Sequence, residues 1–457
     1  MALAEDVFLF VNTRSGGKRG TRLLEQVPQP FRVPIHDESE VLVRAFDISE
    51  GPSGKKPGFL VVKEQSFHRN VRVAVAGGDG TILWAVEEAS KTGCDVSRLL
   101  FAIIPLGTGN DFSRFTGWGG SAPSMRRLFR RDCEGMKNLV KQWMQSRPRL
   151  HDIWRIRIQV DASRGAILVN SGGRKKTLEE KLLEKSMHSY CSMGWDARAG
   201  MEQEKWRTSS RIGNLFNYGL QICAKGLPCR QKCLVADFTR SLHHGTSEAD
   251  KTIFQGCKSA ASSSCCISSV EETDFLDDSN DKTLTPKLLG NPEVLVFLNI
   301  PNCYSGLCKF WQHAYRNSLV PADEELLKLD QDAGDGKLEV VTYDNVFQTV
   351  SAACTPAGVV PKSMSASRVF SGAPIFCRFN EADLEDHMDV HVQIDGEFFK
   401  LQHPEFLAIQ RERQIKVLHS SLISDTDSQD EEEIGESDLS DDSYESDASN
   451  DPPICGF

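Results

Sequence analysis

Residues 71–88 read VRVAVAGGDGTILWAVEE, and the change of pattern at their centre decides the fold. Val71 to Ala76 is an apolar run without the polar alternation of a half-solvated strand. Gly77-Gly78-Asp79-Gly80-Thr81 is a turn, and Ile82 to Glu88 has helical spacing. The same grammar recurs on both sides. Val7 to Val11 (VFLFV) ends in Asn12-Thr13-Arg14-Ser15-Gly16-Gly17, and Leu99 to Ile104 (LLFAII) ends in Pro105-Leu106-Gly107-Thr108-Gly109-Asn110-Asp111. Strands apolar on both faces and separated by helices indicate a parallel, Rossmann-like α/β sheet. Such sheets bind ligands beyond the carboxyl ends of their strands, the edge where all three polar glycine loops fall.

Beyond about residue 148 the pattern changes. Ile153 to Val160 alternates apolar and polar residues, and Ala166 to Val169, Val294 to Ile300, Leu338 to Val341 and Val390 to Ile394 are further strand signals. Their spacing predicts an all-β sandwich or an α+β domain. The expected division is an α/β nucleotide-binding domain at 1–148, an all-β sandwich at 149–418, and an acidic tail at 419–457. A Ser-, Lys- and Asp-rich disordered insertion is expected at about 242–287.

The chain carries 53 basic and 64 acidic residues, a formal charge of −11. Thirteen of the acids lie between Asp425 and Asp451, and no Lys or Arg follows Lys416. Without that tail the body holds 53 basic and 51 acidic side chains, so the −11 describes the tail. Neither figure is the basic footprint of a nucleic-acid binder. No apolar run approaches the roughly 18–20 residues of a membrane span, and no basic n-region precedes the first strand. The 14 cysteines lack zinc-ligand spacing and read as reduced cytosolic thiols. Asp330, Asp332 and Gly334 start like a calcium loop, but position 12 is Val341.

Glycine loops expose backbone N–H groups, and a helix N-terminus adds about half a positive charge, so Gly77 to Thr81 suits a phosphate. A tight turn capped by Asp79 or Thr81 would explain that string equally well. Two further loops on neighbouring strand ends make the turn-only explanation insufficient. A lone Asp79 would repel phosphate unless Mg²⁺ lay between them. Asp111 is a further candidate cation ligand and Asn110 a further candidate nucleotide contact. No GxxxxGK[ST] loop and no HRD or DFG set occurs.

GGDGT (77–81), PLGTGND (105–111) and Gly117-Trp118-Gly119-Gly120 resemble the catalytic domain of eukaryotic diacylglycerol kinases. Ser192-x-Gly194-x-Asp196-Ala197, Asn299-Ile300-Pro301, Asp335-Gly336-Lys337-Leu338-Glu339-Val340 and Val392-Gln393-Ile394-Asp395-Gly396-Glu397 resemble that family's accessory domain, in the family's order. The resemblance covers about residues 5–418, outside the Ser-rich insertion. It implies ATP- and Mg²⁺-dependent transfer of a γ-phosphoryl group to the free hydroxyl of 1,2-diacylglycerol, with the active site between the two domains. Carried over by motif, Asn12, Ser15, Gly16, Gly78, Asp79, Gly80, Thr81 and Thr108 would contact ATP. Asp332, Asp335 and the Lys337 carbonyl would hold a structural Mg²⁺. Glu397 would be the general base, with Asp79 and Asp395 as competitors for that role.

Thr13, Leu215 and Phe398-Phe399 depart from the family pattern, but none removes a reacting group. Zinc-finger pairs, calcium hands and an anchor are not evident, so the resemblance is to short forms. A cytoplasmic protein reversibly associated with an anionic lipid surface is expected. Arg126, Arg127, Arg130, Arg131, Lys205, Trp206, Arg207 and Arg211 are its candidate contacts, set against a merely solvated helix face. The alternatives are a sphingoid-base or ceramide kinase, an NAD kinase, and a non-catalytic lipid-sensing scaffold. The acidic tail is expected to repel anionic membrane or cover basic clusters.

Overall fold

The computed structural model describes residues 6–36, 39–171, 174–203, 234–256, 286–304, 306, 308–320, 323–344, 348, 365–381 and 389–420. The first part runs β1 (Asp6–Val11), α1 (Arg19–Gln26), β2 (Phe31–His36), β3 (Ser39–Asp47), α2 (Pro57–Ser66) and β4 (Val71–Gly77). It continues through α3 (Asp79–Thr92), β5 (Leu99–Pro105), α4 (Asp111–Phe115) and α5 (Met125–Gln145). The strand order is β5-β4-β1-β3-β2, parallel except for the edge strand β2. Alternate residues serve opposite cores, which is why these strands are apolar without interruption. Val7, Leu9, Ala74, Ala76 and Ile104 pack on one side. Phe8, Phe10, Val73, Val75 and Ile103 pack on the other. Fully burying a large apolar side chain contributes about 1.5–3 kcal/mol.

The second part begins with β6 (Pro148–Val160), β7 (Ala166–Ser171), β8 (Arg174–Thr177), β9 (Leu182–Met187), β10 (Tyr190–Gly194) and α6 (Trp195–Gln203). Then follow α7 (Val235–Phe238), β11 (Thr239–His244), β12 (Lys251–Gln255), β13 (Lys287–Leu288) and β14 (Val294–Leu298). Short strands β15 (Asn302–Cys303), β16 (Cys308–Lys309), β17 (Arg316–Asn317) and β18 (Leu319–Val320) precede β19 (Leu338–Tyr343). The last are β20 (Ser367–Gly372), β21 (Ile375–Phe379), β22 (Asp389–Ile394), β23 (Glu397–Gln402) and β24 (Pro404–Leu418). One sheet of nine strands, β17-β20-β19-β14-β10-β22-β23-β7-β8, shares a core with strands of the first sheet. Trp154, Ile156, Leu407 and Ile409 come from one side of that core, and Met193, Phe297, Val392 and Phe399 from the other.

Two expected boundaries change. The β-rich part is not an independent module after residue 148, because β24 belongs to both parts. It pairs antiparallel with β6 along its length, and Lys416 and Val417 pair parallel with Leu100 and Phe101 of β5. The α/β strands therefore lie in one thirteen-stranded sheet with β6, β9, β11–β13, β18, β21 and β24. The insertion does not begin at 242 either. Leu242 lies within β11, paired on both sides with β12 and β21, and its side chain is buried in the core shared by the two sheets. Residues 257–285, Lys205, Trp206, Arg207, Arg211, Leu215 and the tail beyond Ser420 fall outside the described residues.

Helix α5 is broken. Arg130 is extended, and Arg131, Asp132 and Cys133 take left-handed φ values of 50°, 57° and 61°. Each such non-glycine residue costs roughly 1–2 kcal/mol, so the surrounding packing must hold the break.

Candidate active site

The three glycine loops leave the ends of β1, β4 and β5, which are neighbours in the sheet, and they meet backbone to backbone. A Cβ added to Gly107 would fall 2.7 Å from the Gly78 Cα, and one on Gly16 would fall 2.8 Å from the Leu106 carbonyl oxygen. Gly16 is also left-handed, with φ +63°. The Leu106 N–H donates to the Gly77 carbonyl at 2.9 Å. At the base of the first loop, Asn12 Nδ2 lies 3.5 Å from Thr81 Oγ1. Thr13 replaces the proline usual in the resemblance by tethering the loop, its hydroxyl lying 3.2–3.3 Å from both carboxylate oxygens of Asp47.

Helix α3 opens on this junction. Its N-cap is Gly78, which offers no side-chain cap, and a Cβ on Gly80 would meet nothing within 4 Å. The Thr81 N–H donates to the Gly78 carbonyl at 2.9 Å, and the first turn of this 14-residue helix stands beside the glycine loops with no side chain capping it, at the helix end that attracts an anionic oxygen. Ser15, Gly16, Gly78, Gly80 and Thr81 are thereby brought to one place. Asn110 plays a different part from nucleotide contact alone. Buried and left-handed, it donates Nδ2 to the Gly107 and Gly120 carbonyls at 2.8 and 2.9 Å, closing its own loop. Thr108 stands in that closed loop, half-buried.

The carboxylate of Asp79 accepts the N–H groups of Asp111 (2.9 Å) and Phe112 (3.3 Å), so it caps α4 across the loop junction. Burial raises its pKa, opposed by His188 and by those two N–H groups. Asp111 in turn accepts the Gly306 N–H at 2.6 Å, tying α4 to the β-rich part. His188 makes the second tie. This fully buried ring places Nε2 3.0 Å from the Asp79 carbonyl, packs edge-on against Phe112 and lies 3.9 Å from Asp395.

Asp395 occupies the first left-handed position of the β22–β23 turn, with Gly396 the second. Turns of this kind favour Asp-Gly. Its carboxylate accepts three N–H groups, from His188 (2.8 Å), Ser189 (3.0 Å) and Tyr190 (3.0 Å). Two residues on, Glu397 opens β23 exposed to solvent, 2.7 Å from the Lys185 ammonium. Of the three candidate bases, Glu397 alone is not committed to backbone N–H groups among the described residues.

Beneath His188 lies a polar layer that local sequence patterns miss. Asn299 Nδ2 donates to the carbonyls of His188 (2.7 Å) and Asp152 (3.0 Å), and Trp154 Nε1 donates to Asn299 Oδ1 at 2.8 Å. Buried His151 places Nε2 3.0 Å from the His188 carbonyl, and burial drives its pKa down to about 3, keeping it neutral. The only local hints were His151-Asp152 at the start of an alternating strand and His188 before a strand. Partners more than 100 residues away gave those residues their setting. Asp196 of the SxGxDA segment is also buried, and Ser192 and Tyr304 donate to it.

Asp332, Asp335 and Lys337 stand on the loop before β19. Each carboxylate accepts a neighbouring backbone N–H at 2.9 Å, and Lys337 Nζ lies 3.5 Å from Asp335. This loop is moored to Asp152, which accepts the Gly336 N–H at 2.7 Å. Burial raises the pKa of Glu339 to about 8, and Asp335 adds to the shift; Glu339 Oε2 is buried without a partner. Carboxylate oxygens are the hard donors that a divalent cation takes. Among the described residues no three His, Cys, Asp or Glu side chains converge, so backbone oxygens such as that of Lys337 would complete the set. Asp111 points elsewhere, to Gly306, rather than joining this loop.

A parallel α/β sheet with three merged glycine loops, locked by buried polar ties to a β-rich second part, defines the class of protein. The chain belongs to the diacylglycerol kinase family. The family model for the diacylglycerol kinase catalytic domain matches residues 6–138, and that for the diacylglycerol kinase accessory domain matches residues 186–398. "Probable diacylglycerol kinase 3" of Caenorhabditis elegans is 25% identical over 427 residues, 90% of this chain and 43% of that protein. Human diacylglycerol kinase zeta is 23% identical over 402 residues, 87% of this chain and 34% of that protein. Diacylglycerol kinase 1 of Drosophila melanogaster is 33% identical over 130 residues, 27% of this chain and 10% of its own length. The chain thus spans less than half the length of these relatives. A solved structure of a candidate diacylglycerol kinase from Bacillus anthracis aligns over 91% of this chain and 98% of its own at 12% identity, with a TM-score of 0.42.

Proposed function

We propose that this chain is a lipid kinase that transfers the γ-phosphoryl group of ATP to the free hydroxyl of 1,2-diacylglycerol, releasing ADP and phosphatidic acid. The observation that carries the reading is the uncapped α3 N-terminus, open at Gly80 and flanked by the packed loops at Gly16, Gly78 and Gly107. In this reading Asn12, Ser15, Gly16, Gly78, Gly80, Thr81 and Thr108 cradle the nucleotide phosphates. Phosphoryl transfer is mostly positioning and charge stabilisation, and fixed N–H groups supply both. Asp79 and Asp395 are positioning residues, since their carboxylates hold α4 and the residues 188–190 to the loop junction. Glu397 accepts the proton as the lipid oxygen bonds to the γ-phosphorus and the bond to the ADP oxygen breaks. Such a base contributes roughly 10²- to 10⁴-fold. When bound at Asp332, Asp335 and the Lys337 carbonyl, Mg²⁺ would supply positive charge that offsets the crowded acidic loop.

The α/β part is read as the nucleotide half and the β-rich part as the lipid-facing half, with peripheral, reversible membrane association in the cytoplasm. No helix among the described residues is long and apolar enough to cross a membrane. Purified protein, labelled ATP, Mg²⁺ and vesicles containing diacylglycerol, ceramide or sphingosine test the reading. Labelled phosphatidic acid should form, with the other two lipids unlabelled. Labelling of ceramide or sphingosine in its place would transfer the chain to that branch, and no lipid product at all would reject the activity.

A further inference from the structure

The break in α5 creates a site that the reaction does not use. Residues 127, 130, 131, 134 and 138 recur at spacings that would form one solvated face on an unbroken helix. The left-handed stretch Arg131–Cys133 folds the first turn back onto the second arm instead. Gly135 permits this, because a Cβ there would lie 2.5 Å from the Arg127 carbonyl oxygen and 2.8 Å from the Leu128 Cα. Both arms are anchored, Leu128 before the break and Met136 after it being buried in the same core. Between them lies a groove of about 250 Å³ lined by Arg127, Arg130, Arg131, Glu134, Gly135 and Asn138. Among the described residues no carboxylate forms an ion pair with these three arginines, although Glu134 shares their groove.

We propose that this groove binds the phosphomonoester headgroup of an anionic lipid in the bilayer. Three guanidinium groups less one Glu134 carboxylate leave a charge of about +2, matching the −1.5 to −2 of a phosphomonoester near neutral pH. Guanidinium groups suit this ligand because their planar N–H forks bind phosphate oxygens in pairs, and the Asn138 amide adds a neutral donor. The groove is smaller than the roughly 300–1,000 Å³ of a drug-sized pocket, so it admits a headgroup and leaves the acyl chains in the membrane. The proposed product carries this group, and the inference that the enzyme is held at product-rich membrane rests on the proposed reaction. The binding itself does not.

Sedimentation of the full chain with phosphatidylcholine vesicles, alone or containing equal fractions of phosphatidic acid or phosphatidylserine, tests the site. Wild type is expected to prefer phosphatidic acid. Arg127→Gln, Arg130→Gln and Arg131→Gln should each weaken that binding about fivefold, and together on the order of a hundredfold. Glu134→Gln should strengthen it about fivefold. Gly135→Val keeps every charge but separates the arms, so it should erase the preference over phosphatidylserine, with circular dichroism confirming its fold. The triple variant should keep wild-type activity on short-chain diacylglycerol in detergent micelles. Unchanged vesicle binding by the triple variant, equal binding to both anionic lipids, or displacement by free inorganic phosphate matched to the lipid phosphate would overturn the proposal. Retained binding by a wild type without kinase activity would instead reject the proposed reaction and leave the groove standing.

Discussion

At the residue scale, two acids in one hairpin sit in opposite environments. Asp395 is nearly enclosed and accepts three backbone N–H groups, whereas Glu397 is exposed beside Lys185. Replacing Asp395 with Asn puts an amide donor against N–H donors and removes the charge that strengthens those bonds. Asp395→Asn should therefore lose about 1.5–3 kcal/mol in urea unfolding, with turnover falling as the 188–190 segment loosens. Glu397→Gln should change stability by no more than about 0.5 kcal/mol yet lower turnover by roughly 10²- to 10⁴-fold. A stable, fully active Glu397→Gln would remove Glu397 from the chemistry. Neither environment was legible locally: DGE reads as a hairpin turn, and the donors to Asp395 lie more than 200 residues away.

Among elements, the decisive contact is between the loops after β4 and β5. Glycine is required where backbones touch, and Gly107 touches Gly78 more closely than any Cβ allows. Gly107→Ala should push the loops apart and weaken ATP binding at least about tenfold by equilibrium dialysis, a change of about 1.4 kcal/mol. Gly80→Ala meets open space inside a helix, so its thermal stability should hold or rise slightly, on the order of 0.5–1 kcal/mol. Equal loss of stability in both would place the constraint in the chain's flexibility instead. The strands were legible because each serves two cores. The break in α5 was not, because its residues keep helical spacing and the close approach of Gly135 to the Arg127–Leu128 backbone shows only in the fold.

For the whole molecule, β24 determines cohesion. This 15-residue strand joins β6 to β5, and Trp118 Nε1 donates to the Leu418 carbonyl at 2.8 Å just beyond the last rung with β5. Asp111–Gly306 and His188–Asp79 add two further ties. A protein divided into separate domains commonly unfolds in steps. This one should show a single urea transition, coincident by tryptophan fluorescence and far-ultraviolet circular dichroism. Two separated midpoints would mean that the shared sheet does not couple the parts.

Local patterning alone determined the parallel α/β sheet, the three loops at its carboxyl edge and the β-rich second part, because strand burial and turn chemistry are properties of neighbouring residues. Tertiary structure decided how those pieces become one site. It set β11, where the insertion was expected to begin, beside β21, took β24 back to β5, and gave Asp79, His188 and Asp395 their shared contacts. Such decisions depend on hydrogen-bond partners brought together across 100 to 300 residues, and no local periodicity records a partner at that distance.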